Sequence, residues 1–70
     1  MTREEAERIV AALLQAGDGV EQLDNHISTL PDKDLQKLMR TSVGPILATH
    51  YGLMSIVTDR FPELDPYQDD

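Results

Sequence analysis

From Thr41 to Thr58 the chain carries no Asp, Glu, Lys or Arg. A helix without charge on any side is normally buried on most sides, because an uncharged surface gains little from water. Ser42, Thr49, His50, Ser55 and Thr58 interrupt the stretch and Pro45 stands near its start, which makes it too polar for a membrane span. The whole chain has only 70 residues, hence one domain. A chain that short buries only about 60% of the surface its unfolded form exposes. Its own core is marginal, and oligomerisation is a common remedy. The uncharged stretch therefore reads as a central helix packed by the others, or as one shared across a dimer interface.

Periodicity and punctuation predict an all-α fold, a small bundle of four short helices completed by dimerisation. Thr2 and Glu5 form a capping-box pattern. Ala6, Ile9, Val10, Leu13, Leu14 and Ala16 follow at helical spacing, and Gly17 offers a stop. Asp18 recaps with Glu21 three positions on, and Val20, Leu23, Ile27 and Leu30 make a narrow second seam. Pro31 ends that helix, because the residue before a proline is pushed out of helical geometry. A third helix begins near Asp32 and carries Leu35, Leu38, Met39 and Val43 inward. Gly44-Pro45 marks a fourth start, since proline is tolerated in a first turn and costly deep inside a helix. One kinked helix from Asp32 to Arg60 is the alternative. Phe61-Pro62 closes the helical domain, 1–61, and residues 62–70 form an acidic, flexible tail.

Within the last helix, Ile46, Leu47, Leu53, Met54, Val57 and Phe61 gather on one side, with His50 at its centre. The competing roles for His50 are a core imidazole bonded to a backbone carbonyl or hydroxyl, a pH-sensitive packing element, and a ligand. Ala48, Gly52 and Ser55 gather on the other side. Glycine inside a helix costs about 1 kcal/mol relative to alanine, so Gly52 points to a close approach, and Ala48, Ser55, His50 and Tyr51 join it as interface candidates. Against this stands a small-residue side that merely faces water.

Residue chemistry argues against an enzyme. There is no cysteine, so disulfides and thiolate metal sites are excluded. Neither His26 nor His50 has Asp, Glu or His three or four positions away, so no local metal motif exists and no cofactor is expected. Gly17-Asp18-Gly19 lacks the lysine and spacing of a phosphate loop. Ser28, Ser42 and Ser55 have no catalytic signature around them. The N-terminus opens with Arg3, Glu4 and Glu5 and no apolar leader, so the expected location is cytoplasmic.

Thirteen acids against six bases give a net charge of −7, which repels nucleic acid and anionic membranes. Lys33, Lys37 and Arg40 form a basic stripe on the third helix. It reads as a solvated face, as the recognition helix of a helix-turn-helix, or as a landing strip for another copy's acidic tail. Asp59, Glu63, Asp65, Asp69 and Asp70 are the candidates for contact with a basic partner. The expected function is a small acidic interaction module with a regulatory or accessory role, self-associating as a homodimer. An acidic inhibitor of the antitoxin, immunity or DNA-mimic type, masking a basic protein, is the main alternative, and DNA binding through the basic stripe is the second.

Overall fold

The computed structural model describes residues 1–67. Asp69 and Asp70 of the acidic tail lie outside them. Two long helices fold back on each other as a hairpin, α1 (Arg3–Ser28) and α2 (Lys33–Arg60), and a short 3-10 turn follows at Pro62–Leu64. The chain measures 46 × 22 × 17 Å, the proportions of two helices side by side.

The ends of the helices have specific chemistry. Thr2 caps α1 by accepting from the Glu5 amide at 3.1 Å, and the Glu5 carboxylate accepts from the Thr2 amide at 2.7 Å. That backbone bond, helped by the Thr2 hydroxyl, holds the Glu5 carboxyl below its ordinary pKa. Acidification through that lowered value protonates Glu5 and removes this contribution to the cap. Asp32 caps α2 by accepting from the amides of Asp34 and Leu35. Across the connection, the Gln36 side-chain amide donates to the Ser28 carbonyl at 2.9 Å and to that of Ile27 at 3.3 Å. It thereby satisfies carbonyls that the end of α1 leaves without helical partners.

The four-helix expectation is corrected: neither internal stop operates. α1 runs straight through Gly17-Asp18-Gly19, and α2 through Gly44-Pro45, so each expected pair of short helices is one long helix. The physical reason is a seam of contacts that spans both punctuation points. In α1, Ala6, Val10, Leu13, Gly17, Val20, Asp24 and Ile27 alternate steps of four and three. In α2, Gln36, Arg40, Val43, Leu47, His50, Met54, Val57 and Phe61 do the same. A seven-residue repeat of this kind keeps one line of each helix facing its partner. Breaking either helix would lose that register along half the hairpin, which outweighs the roughly 1 kcal/mol that a helical glycine costs.

Packing follows the seam closely. Ala6, Val10, Leu13, Met54 and Val57 form the core, with Phe61 and Leu64 packed against it, and Ile27 and Val43 are buried nearer the connection. Leu64 thus returns the chain beyond α2 to the core, and Glu63 pairs with Arg3 at 3.3 Å. Of the residues expected to point inward from the third helix, only Val43 does; Leu35, Leu38 and Met39 are exposed. Ile9, Leu23, Ile46 and Leu53 are exposed as well.

Pro45 lacks the amide that would bond the Thr41 carbonyl one turn back. Replacing Pro45 with Ala restores that donor and raises stability by up to about 3 kcal/mol. The check is the midpoint of chemical denaturation at matched protein concentration. A lowered midpoint would mean that the course of α2 depends on the proline.

Candidate functional site

Midway along the hairpin the His50 imidazole is the one buried polar side chain among the described residues, 7% exposed. Its Nε2 lies 2.6 Å from the Leu13 carbonyl oxygen. A carbonyl only accepts, so Nε2 carries the proton and donates. Nδ1 is then the lone-pair acceptor, and it is buried without a partner. The ring sits directly over Gly17: a Cβ there would lie 3.2 Å from Nε2 and 3.3 Å from Cε1. Gly17 is therefore the notch that admits the imidazole between the helices. The sequence places this close approach at Gly52, where an added Cβ would meet nothing within 4 Å. Ala48, Gly52 and Ser55 are all exposed, on the side of α2 turned away from α1.

His50 separates two grooves that run between the helices on opposite sides of the hairpin. The first, about 420 Å³, is lined by Leu13, Ala16 and Val20 of α1 and by Pro45, Ile46, Thr49 and Leu53 of α2. Seven-residue spacing extends this side along both helices, adding Ile9 and Leu23 in line with Ala16, and Met39 in line with Ile46 and Leu53. The intervening positions are also without charge: Ala12, Gly19 and His26 on α1, and Leu35, Ser42, Thr49 and Ile56 on α2. One whole side of the hairpin is thus an exposed apolar face, in which Ile9, Leu23, Met39, Ile46, Leu53 and Ile56 are each more than two-fifths accessible. Sequence reasoning missed it by assigning Ile9, Leu23, Met39, Ile46 and Leu53 to the core. The available signal was the seven-residue seam, which has room for only one line of side chains and leaves its flank outside.

The second groove, about 510 Å³, is of opposite character. Asp18, Glu21 and Asp24 border it from α1, and Tyr51 of α2 and Tyr67 from the following segment flank it. The Tyr51 ring is steeply inclined to those of His50 and Tyr67, at 79° and 61°, with centroids 5.5 and 6.5 Å apart.

The basic stripe does not stand together as a free cationic surface. Arg40 turns to α1, donating to the Ser28 hydroxyl and approaching Asp24 at 3.8 Å, while Lys33 and Lys37 remain exposed at the start of α2. Nor do the described acids Asp59, Glu63 and Asp65 form one cluster. Glu63 is taken by Arg3, Asp65 accepts from the Tyr67 amide at 2.9 Å, and Asp59 is exposed on α2. Among the described residues no three His, Asp or Glu side chains are placed to hold a metal ion. No described helix is long and apolar enough to cross a membrane. Comparison with protein-family models, with curated proteins and with solved structures finds no match.

The notch at Gly17 separates two otherwise similar substitutions. Gly19→Ala meets open space and gains about 1 kcal/mol from helix propensity. Gly17→Ala carries the same gain but drives its Cβ against a ring that is buried and tethered to Leu13, and such overpacking, about 1–3 kcal/mol, outweighs it. Thermal melts of the two variants should therefore move in opposite directions from the parent. Equal stabilisation of both would show that the imidazole yields freely.

Proposed function

We propose that this protein is a small interaction module that self-associates through the uncharged apolar face shared by α1 and α2. The observation that carries this reading is the face itself: an exposed, largely apolar surface without Asp, Glu, Lys or Arg from Ile9 to His26 or from Leu35 to Ile56 along its two lines. Contiguous apolar patches of that extent mark interaction sites rather than ordinary surface.

Three features favour a second copy as the occupant. The hairpin contains no large side chain that is fully buried, so it lacks the interior that stabilises larger domains. The face is 22 Å across and about 32 Å long from Leu35 to Ile56 at 1.5 Å per residue, or roughly 700 Å², close to the about 800 Å² per partner of a standard stable interface. And two chains of net charge −7 repel each other unless the surfaces that meet are neutral, as this one is. Pairing face to face buries Ile46 and Leu53 of each copy while the acids of the second groove remain directed away from the contact. A regulatory or accessory role suits such a module, whose described residues offer surfaces for docking.

Sedimentation velocity tests the reading. The parent protein should sediment as a dimer at micromolar concentration, and the double substitution Ile46→Glu, Leu53→Glu should yield helical monomers by placing buried like charges in the contact. A monomeric parent at high concentration would overturn it, as would an unchanged dimer in the double variant.

A further inference from the structure

We propose that acid releases the self-association of this protein, through protonation of His26 on the apolar face. The inference rests on the pairing of copies proposed above and adds its regulation.

Along the lines of that face His26 is the one titratable side chain. Seven-residue spacing sets it in line with Ala12 and Gly19, and Leu23 lies one helical turn before it on the same side. In a single hairpin the residue is exposed, so water solvates the ring in either charge state. It also stands in the last turn of α1, where the negative end of the helix dipole suits a cation. Pairing face to face withdraws the same ring from water against side chains without charge, which disfavours its protonated form. Imidazole changes charge between about pH 8 and pH 5. The sign follows by linkage. Paired copies bind fewer protons at this position than separate ones, so falling pH favours separation.

The charged groups around His26 do not offset that effect. Asp24, two residues before it, lies in the seam and is approached by Arg40 at 3.8 Å. At the start of α2, Leu35 and Met39 lie on the lines of the face, whereas Lys33, Asp34 and Lys37 lie off them. Glu5 and Arg60 continue the lines beyond the opposite end of the face, and the Glu5 carboxylate is engaged by the Thr2 amide. His50 is buried in the seam beneath the face, so its protonation acts on the hairpin's own packing, with or without His26. Acidification also reduces the net charge of −7, which by itself brings copies together more readily. Weaker pairing in acid therefore runs against the general electrostatic trend and calls for a specific group.

Sedimentation over a concentration series, at about pH 7.5 and about pH 5.5, tests the proposal on the parent, His26→Gln and His26→Leu proteins. The Ile46→Glu, Leu53→Glu protein marks the monomer, and circular dichroism follows helix content at both pH values. The expected parent dimer dissociates at least about tenfold more readily at the lower pH. Both His26 variants should pair at the higher pH and lose that dependence. Pairing of the parent that is unchanged or tighter in acid overturns the proposal; tightening is the result if a partner's acid, such as Glu5, meets His26. Equal weakening in the parent and both variants also overturns it, by assigning the response to His50 or to the carboxylates. So does failure of both variants to pair at the higher pH, which would make His26 a structural contact. A parent that is monomeric at the higher pH fails the pairing itself, and this inference with it, whereas a pH-indifferent dimer fails this inference alone.

Discussion

Two helices touch along one line only, and nearly everything else about this protein follows from that restriction. A seam of the seven-residue kind takes about two side chains per repeat from each helix. The hairpin buries Ala6, Val10, Leu13 and Ile27 from α1 and Val43, His50, Met54 and Val57 from α2. The remaining apolar residues exceed what the seam holds, so they line its flanks. A third element packed on the hairpin would absorb them, but the 3-10 turn reaches only the open end, where Phe61 and Leu64 cover the core. The unsatisfied apolar face is therefore a consequence of two-helix geometry acting on a sequence with more apolar residues than one contact line accepts.

At the middle of that line the seam carries an imidazole opposite a glycine. Each is a poor choice alone: glycine weakens a helix, and a buried histidine must find partners for both nitrogens. Together they are coherent, because the missing Cβ of Gly17 lets the ring reach the Leu13 carbonyl at 2.6 Å. The pairing fixes the two helices relative to each other at one point, in a way that interchangeable aliphatic contacts do not. Asp24 with Arg40, and Gln36 with the carbonyls of Ile27 and Ser28, add polar contacts toward the connection. The core cluster lies on the other side of His50, toward the chain ends. The larger apolar cluster thus lies toward the chain ends, while Ile27 and Val43 are buried beside the polar contacts near the connection.

Helical character, the cap at Thr2, the helix start near Asp32, the break at Pro31 and the end near Arg60 were legible in the sequence, because each depends on local chemistry. The helix count was not. Gly17 and Pro45 carry the local signals of termination, and those signals are overridden by contacts between α1 and α2 that join residues far apart in sequence, as Gly17 and His50 are. The same distance hides the notch. Nothing near Gly17 in sequence shows that His50 will lie against it, whereas Gly52, two positions from His50, draws attention and meets only open space. Assignment of apolar residues to the core failed for a related reason. Periodicity identifies a helix's apolar side but does not say how wide a partner will cover it, and here the partner is a single helix. The second groove was out of reach because it joins residues from α1, α2 and the segment at Tyr67.

Charge is distributed as unevenly as apolar surface, and the two patterns are linked. On α1 the line through Ile9, Ala16 and Leu23 has no acid, while Asp18, Glu21 and Asp24 lie toward the opposite groove. On α2 the line through Met39, Ile46 and Leu53 is neutral, while Tyr51 flanks that groove. A chain of net charge −7 could have spread its acids evenly for solubility. Even spreading would place like charges in any contact between copies and dilute the field over the groove. Segregation does the reverse on both counts. It keeps Asp, Glu, Lys and Arg off the lines of one side and places Asp18, Glu21 and Asp24 along the groove of the other.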